Sequence, residues 1–318
     1  MRLDLNGLLL LLVVVTVFSF FSKINWLADL VCEFRLYLVA FAVLGLLLVA
    51  VRRKKLKNPL LLAIGGIVCL IANLVPIALV PTATKVTAIE PSRALTVLQF
   101  NINSHNPSKQ EILSHIRKVN ADIVCIEEVS QWWAENFEEL MDIYPDLRVK
   151  ARTDNFGIAI LSKLPVTDAR ILGLTEANVP TLAIEVKGPK DTPIVVVATH
   201  PVPPVSTMNY DYRNMQTDSL ANYLNERRAK PGTKPKVIVC GDFNATSWTA
   251  MLSDFMTKAD LREVKPLAPM PTWPSMWVMP ARISIDHIFV SPDIEFERVS
   301  VEDNCLSDHM SIVAKLQI

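Results

Sequence analysis

The sequence predicts an α/β domain over residues 94–318, preceded by a membrane anchor over residues 1–81 and a linker over residues 82–93. Three observations support this organisation. Long apolar runs fill the N-terminal part, strand-like and helix-like patterns alternate after residue 94, and polar side chains recur where the predicted strands end. Alternation of strands and helices is typical of layered α/β packing.

The anchor is predicted from three apolar runs, at about residues 5–22, 34–51 and 59–80. A bilayer span needs about 20 mostly apolar residues, and about 17 suffice, so each run is interpreted as a transmembrane helix. The alternatives are a cleaved signal peptide for the first run, or buried core helices. No small-residue cleavage site follows the first run, and three such runs in series argue against core helices.

The orientation of the anchor is predicted from a basic cluster between the second and third runs. The cluster consists of Arg52, Arg53, Lys54, Lys55 and Lys57. The positive-inside rule places these side chains in the cytoplasm. The third run then carries the chain across the membrane, so residues 94–318 are expected outside the cytoplasm. The connecting segment 22–35 is charge-balanced and is expected to be a short external loop.

Charge and cysteine content exclude some classes of protein. The chain has 32 basic and 32 acidic residues, so no overall basic field favours nucleic acid, although a local basic patch stays open. The five cysteines form no CxxC pair and no zinc-like spacing. Cys125 and Cys240 lie in apolar strand-like runs, where a free thiol packs as a small hydrophobic group.

Strand and helix patterns alternate along the α/β domain. A capping-box sequence, Ser108 to Glu111, predicts the start of a helix with Ile112 and Ile116 on its buried face. The other predicted helices lie at 131–141 and 209–228. The predicted strands lie at 95–100, 122–126, 157–161, 182–186, 194–199, 236–240, 285–290 and 311–316.

Polar side chains cluster at the ends of these strands. They are Asn101, Glu127, Glu128, His200, Asp242, Asn244, Asp286, Asp308 and His309. Ligands of α/β sheets bind beside strand ends. Carboxylate and amide oxygens suit a hard divalent cation, and imidazole and amide groups suit a phosphate. These residue types therefore predict a site for a metal-bound phosphate.

The ordered motifs QFN, IEE, GIAILSK, ATH, GDFN, IDHIF and SDH resemble the endonuclease/exonuclease/phosphatase superfamily, which includes DNase I-like nucleases. The resemblance covers residues 94–318 and implies a four-layer α/β sandwich, in which two packed mixed sheets are flanked by helices. The motif TWP at 272–274, together with the three spans, resembles the membrane-anchored YafD/VanJ-like branch. Glu127 departs from the usual Gln, and is either a partnered supporting carboxylate or a second metal ligand.

The resemblance implies a Mg²⁺ cofactor, with Mn²⁺ as an alternative, held by Glu128 with Asn101 and Asp308. It implies that Asp242 orients or deprotonates the attacking water and that Asn244 donates an amide hydrogen bond to the phosphate. It further implies that His309 binds phosphate or transfers a proton, that Asp286 orients His309, and that His200 is a second phosphate-binding or acid–base imidazole.

Two further sets of residues have open interpretations. Arg213 and Gln216 share a helix face, and Arg213 is either a substrate-phosphate ligand or a member of a surface ion pair. Trp248, Trp273 and Trp277 either form an apolar wall for the substrate or pack in the core and rim.

The expected function is hydrolysis of a phosphate ester or pyrophosphate, with a lipid-linked phosphate as the favoured substrate and the bilayer as the other partner. An extracytoplasmic endo- or exonuclease acting on nucleic acid is the alternative, and an inactive membrane scaffold is a minor one. No obligate protein partner is implied. We expect a multi-pass protein of the bacterial inner or cell membrane with a periplasmic catalytic domain.

Overall fold

The computed structural model describes residues 4–230 and 234–318. Its N-terminal region contains the helices α1 (Leu5–Ser19), α2 (Trp26–Glu33), α3 (Arg35–Arg52) and α4 (Pro59–Ala78). By length and composition, the helices at Arg35–Lys55 and Pro59–Ala78 can cross a membrane. The first apolar run forms the shorter α1, whose 15 residues extend about 22 Å against a hydrocarbon core of about 30 Å. The expectation of three spans is therefore supported for two helices.

The connecting segment 22–35, expected to be a loop, contains α2. Asn25 caps this helix by accepting a hydrogen bond from the backbone N–H of Ala28 at 3.1 Å. The helix buries Ala28, Asp29, Cys32 and Glu33. Two of these side chains are acidic, so no apolar periodicity marked the helix in the sequence.

Two mixed sheets form the centre of the α/β domain. The first has the strand order β11-β12-β1-β2-β4-β3 and the second β5-β6-β7-β8-β10-β9. The first contains β1 (Ala94–Asn101), β2 (Ile123–Glu127), β3 (Asp146–Lys150), β4 (Ile158–Ser162), β11 (Glu295–Val301) and β12 (Ile312–Gln317). The second contains β5 (Val166–Gly173), β6 (Pro180–Lys187), β7 (Pro193–Thr199), β8 (Lys236–Asp242), β9 (Arg262–Glu263) and β10 (Asp286–Val290).

The two sheets pack face to face through alternate side chains of their central strands, including Val97, Cys125, Val196, Ile238 and Cys240. Helices cover the outer faces. The outer face of the first sheet packs against α5 (Lys109–Val119) and α6 (Gln131–Phe137), and that of the second against α7 (Thr207–Ala229) and α8 (Ala250–Lys258). The predicted α/β fold with two packed mixed sheets between helices is confirmed.

The strands missing from the sequence prediction, β3, β5, β9 and β11, lie at the outer edges of the two sheets. Edge strands are partly solvated, so β5 alternates exposed and half-buried positions instead of forming an apolar run. The predicted linker 82–93 follows these edges, because the N–H of Ala83 donates to the carbonyl of Glu263 at 2.8 Å and Lys85 pairs with Phe296.

Candidate active site

The topology brings the polar strand ends to one edge of the sandwich. β1 runs parallel to β2 in the first sheet, and β7 runs parallel to β8 in the second, so these four strands deliver Asn101, Glu128, His200 and Asp242 to that edge. Antiparallel pairing of β10 with β8 places Asp286 opposite Asp242. A cleft of about 460 Å³ opens there and is lined by Glu128, His200, Asp242, Asn244, Asp308 and His309, among others.

Asp242 lies at the centre of the polar end of this cleft. Its Oδ2 atom accepts a hydrogen bond from Asn101 Nδ2 at 3.1 Å, and it lies 3.4 Å from His200 Nε2 and 3.6 Å from His309 Nε2. Asn101 Nδ2 also donates to Glu128 Oε1 at 3.1 Å. Glu128 adopts a left-handed backbone conformation with φ of 62° directly after β2. The carboxylates of Glu128 and Asp242 therefore share one amide and one cleft.

Asp286 and His309 form a buried pair beside Asp242, with 2.9 Å between Asp286 Oδ2 and His309 Nδ1. Burial disfavours the charged imidazole, but the carboxylates of Asp286 and Asp242 outweigh it and raise the pKa of His309 to about 10. Burial acts to raise the pKa of Asp286, but the charge of His309 holds that pKa below its ordinary value. The pair is therefore an imidazolium held by a carboxylate.

Asp242 and His200, two other titratable residues described above, have pKa values shifted in opposite directions. Burial raises the pKa of Asp242 to about 7, against the opposing charge of His309. Burial lowers the pKa of His200 to about 4, so its ring is neutral near pH 7. The cleft thus combines a carboxyl group that titrates near neutrality with one charged and one neutral imidazole, an arrangement suited to acid–base chemistry.

Asn244 and Asp308 are held by neighbouring loops. Asn244 has a φ of 49°; its N–H donates to Asp242 Oδ1 at 2.8 Å, and its Nδ2 donates to the carbonyl of Pro201 at 3.0 Å. Asp308 accepts hydrogen bonds from Asn103 Nδ2 at 2.8 Å and from Trp273 Nε1 at 3.2 Å. Of the three tryptophans considered as a wall, Trp273 lines the cleft, Trp248 is buried and Trp277 is half exposed.

Glu127 points away from the cleft, into the space between the sheets. Gln99 Nε2 donates to Glu127 Oε2 and to Asp286 Oδ1, each at 3.0 Å. Burial raises the pKa of Glu127 well above its ordinary value. This geometry favours the supporting interpretation of Glu127 over a second metal ligand. His287 is similarly internal, since its ring contacts Glu263 Oε1 and the carbonyl of Ala245, each at 2.8 Å.

The prediction that Arg213 binds substrate phosphate is wrong. Arg213 is fully buried under α2, where its Nη2 lies 2.5 Å from Asp29 Oδ2 and its Nη1 lies 4.0 Å from Glu33 Oε1. Its Nη1 also donates to the carbonyl of Asn244 at 3.0 Å. The alternative of a surface ion pair is wrong for the same reason, because the unpredicted α2 covers this face of α7. Arg213 supports the site through the backbone of Asn244.

The donor set of the cleft fits a hard divalent cation. Asp242, Asp286 and His309 lie close enough together to hold an ion, but both ring nitrogens of His309 already face carboxylates, so we assign these three residues to acid–base chemistry. Glu128 and Asp308 supply the oxygen atoms that Mg²⁺ prefers. Asn101 was predicted to help hold the ion, but the structure gives it a different arrangement. Its amide nitrogen donates to Glu128 and Asp242, and its Oδ1 accepts from the N–H of Asn103 at 3.1 Å, so Asn101 links the two carboxylates.

One wall of the cleft comes from the N-terminal region, which sequence reasoning missed. Leu30, Glu33 and Phe34 line the cleft together with the polar residues. The connecting segment is fastened to the loop after β8, because Trp248 Nε1 donates to the carbonyl of Cys32 at 2.9 Å and Glu33 accepts from the N–H of Thr246 at 2.6 Å. One feature of the sequence could have indicated this contact, namely that Asp29 and Glu33 lie four residues apart in a segment flanked by apolar runs.

The chain belongs to the Endonuclease/Exonuclease/phosphatase family, which it matches over residues 98–309. This family comprises hydrolases that act on phosphoester bonds, so the class of enzyme follows from membership. A search of curated proteins finds no match.

Solved structures share the fold at low sequence identity. Truncated Caenorhabditis elegans TDP2 is 17% identical with a TM-score of 0.58, covering 71% of this chain and 98% of its own. The human Nocturnin catalytic domain with bound sulfate is 19% identical with a TM-score of 0.59, covering 73% and 96%. An endonuclease/exonuclease/phosphatase from Beutenbergia cavernae is 18% identical with a TM-score of 0.54, covering 71% and 72%. At such identities these likenesses show the fold alone.

Proposed function

We propose that the protein is a membrane-anchored, Mg²⁺-dependent phosphoesterase of the YafD/VanJ-like kind. Its substrate is the phosphate ester or pyrophosphate of a membrane lipid or headgroup, hydrolysed on the extracytoplasmic side of a bacterial inner membrane. One observation carries this proposal. The polar residues of the catalytic cleft face an apolar wall, and the N-terminal region that holds the two candidate spans supplies part of that wall.

Each residue of the polar end has a distinct task in the proposed reaction. Glu128 and Asp308 would hold Mg²⁺, or Mn²⁺, which when bound neutralises charge on the phosphoryl oxygens. Asp242, with its pKa near 7, orients and deprotonates the attacking water. His309, held charged by Asp286, binds a phosphoryl oxygen, and Asn244 and neutral His200 donate further hydrogen bonds to the same group.

The apolar part of the cleft suits the chain or isoprenoid portion of an amphiphilic substrate. It is formed by Leu30, Phe34, Phe156, Pro203, Pro204, Val205, Trp273, Ile283 and Ile285. Among the described residues, those that line the cleft include neither lysine nor arginine. Nucleic-acid binding depends on such cations to neutralise backbone phosphates, so the lining favours a lipid phosphate over the nuclease alternative. The full set of acid, base and metal-binding groups argues against an inactive scaffold.

The orientation of the protein is also proposed. α3 and α4 pack along each other as a hairpin whose basic connection, Arg53–Lys55, is exposed at the end remote from the α/β domain. The positive-inside rule places that connection in the cytoplasm and the cleft on the other side. A reporter active only after export, fused at the C-terminus, should be active, and a cytoplasmic readout would reverse the orientation.

A substrate panel tests the activity. The purified full-length protein is assayed against lipid pyrophosphates, phospholipids, nucleotides and plasmid DNA, with an Asp242→Asn variant as the control for contaminating hydrolases. We expect turnover of an amphiphilic phosphate that is lost with EDTA and restored by Mg²⁺ or Mn²⁺. Hydrolysis of DNA with none of any lipid phosphate would establish the nuclease alternative instead.

A further inference from the structure

The α/β domain exposes a run of consecutive apolar side chains close to the cleft. Met276, Trp277, Val278 and Met279 form a loop in which every side chain is at least half exposed, and Leu267 is fully exposed nearby in the chain. We call these five residues the apolar rim. Single exposed apolar residues are common on soluble proteins, but four in succession, including a tryptophan, mark an interaction surface.

The rim loop has a defined shape. Arg282 donates hydrogen bonds from Nε to the carbonyl of Trp277 at 2.8 Å and from Nη2 to the carbonyl of Ser275 at 2.5 Å. The N–H of Trp277 donates to the carbonyl of Pro274 at 3.0 Å, and that of Ala281 to the carbonyl of Val278 at 2.8 Å. These hydrogen bonds hold the backbone of the loop in place while its apolar side chains stay exposed. The exposure is therefore built into the folded state.

One hydrogen bond and one shared crevice place the rim beside the candidate spans. The phenol of Tyr37, in the first turn of α3, donates to the carbonyl of Ala281 at the end of the rim loop. Ile77, in the last turn of α4, lines the same crevice as Leu267. Because α3 and α4 run antiparallel, the first turn of one and the last turn of the other lie at the same face of a membrane that both cross. Leu267 and the loop of Met276–Met279 therefore both lie near the face of the membrane at which the two candidate spans end.

We propose that the apolar rim is a membrane-contact surface, which inserts into the headgroup region of the bilayer and holds the mouth of the cleft against the lipid. This inference rests on the proposed membrane anchoring and extends it, since the catalytic domain itself then contacts lipid. Tryptophan and aliphatic side chains at the level where spans leave the bilayer are typical of membrane interfaces. Trp273, which lines the cleft, lies three residues before the rim loop, so the rim sits at the entrance for a lipid headgroup.

Fluorescence quenching in nanodiscs tests this placement. The full-length protein is labelled with an environment-sensitive thiol probe at Val278→Cys, Phe41→Cys or Met141→Cys, in discs of phosphatidylcholine and phosphatidylglycerol with or without spin-labelled lipid. The native cysteines are all buried, so the introduced thiol is the reactive one. All three substituted side chains are at least half exposed, so each variant should fold.

The two other positions are matched controls. Phe41 lies on α3 and reports whether the spans are in the bilayer. Met141 is a half-exposed apolar residue five residues before β3. The first residue of β3 is aligned through β4 with the start of β2, which is the end of that strand remote from the site. We expect a blue shift and loss of emission through spin-labelled lipid at positions 41 and 278, and neither at 141.

The outcomes separate the two proposals. Quenching at 41 without quenching at 278 would overturn the membrane-contact surface and leave the anchoring intact. No quenching at 41 would overturn the anchoring and the rim together. Equal quenching at 278 and 141 would mean nonspecific lipid contact and would also overturn the inference. The quenching experiment measures the position of each label relative to the lipid and does not depend on turnover. It can therefore be interpreted even if the substrate panel finds no activity.

Discussion

Two buried clusters of titratable side chains lie close to Asn244, and only one of them has an ion pair that reaches the cleft. The cleft cluster consists of Asp242, Asp286 and His309. The connector cluster consists of Asp29, Glu33 and Arg213. Each contains a buried ion pair, His309 with Asp286 in the first and Arg213 with Asp29 in the second. The cleft cluster opens to a cavity, whereas α2 covers Arg213, so the same kind of ion pair is available for chemistry in one place and for structure in the other.

The comparison shows that the role of a buried ion pair depends more on whether a substrate can reach it than on its residue types. Arginine is well suited to phosphate recognition, yet both terminal nitrogens of Arg213 are directed to Asp29 and to the carbonyl of Asn244. His309 is also paired, but its Nε2 edge faces Asp242 and the cleft. Four substitutions separate these roles, in order of decreasing expected effect.

The largest effect is expected from removing the cleft imidazole. His309→Gln keeps the size of the side chain but removes the charge that Asp286 holds, so the hydrolysis rate should fall roughly 10²–10⁴-fold. The rate is measured on the substrate found by the panel, with Mg²⁺ saturating. His115→Gln is the matched control, because His115 is also buried but contacts Ser311 on the outer side of the first sheet. Equal losses in both variants would make the role of His309 structural.

The next effect is on stability. Arg213→Met leaves the carboxylate of Asp29 buried without its partner, which should lower the free energy of unfolding by about 3–5 kcal/mol. Denaturant titration of the full-length protein in detergent measures this change. The double variant Asp29→Asn/Arg213→Met removes the stranded charge and should recover part of the loss. A lower rate with unchanged stability would restore Arg213 as a phosphate ligand.

A smaller effect is expected from loosening the cleft cluster. Asp286→Asn removes the main charge that raises the pKa of His309 to about 10, so that pKa should drop and the rate should fall roughly 10–100-fold. NMR titration of histidine-labelled protein follows the ring directly. A reduced rate with an unchanged histidine pKa would show that Asp286 acts on folding and not on His309.

The smallest effect concerns the pH dependence of stability. Burial raises the pKa of Glu33 from its ordinary value of 4.5 to about 8. The folded state therefore holds this proton more tightly than the unfolded state. The resulting contribution of Glu33 to the free energy of unfolding is fully present below about pH 4.5 and is lost as the pH rises through about 8. One proton contributes a slope of at most roughly 1.4 kcal/mol per pH unit within this window.

Glu33→Gln removes the titrating proton while keeping an acceptor for the N–H of Thr246. Its free energy of unfolding should therefore fall less steeply than that of the wild type between these pH values. The measurement is denaturant unfolding at a series of pH values. Parallel curves for the two proteins would mean that Glu33 is charged in the folded state.

Much of the site was predictable because most of its polar residues lie at the end or just before the start of a strongly apolar strand. Val195 to Thr199 and Val237 to Cys240 form continuous buried strands, and the polar residue after each is marked by the sharp change in polarity. Parallel pairing then brings such ends to one edge by geometry alone. Edge strands such as β5 have no apolar run that would reveal them in the sequence. The orientation of Asn101 between two carboxylates depends on residues distant in the chain, so no local pattern predicts it.

The sequence by itself determined the order of the polar strand ends, the α/β class and the apolar runs, since these depend on periodicity and local polarity. Only the tertiary structure decided that α2 forms and covers Arg213, that Glu127 joins Gln99 between the sheets, and that part of the cleft wall comes from the N-terminal region. Those outcomes depend on which surfaces meet, and burial between distant segments has no signature in the residues of either segment alone.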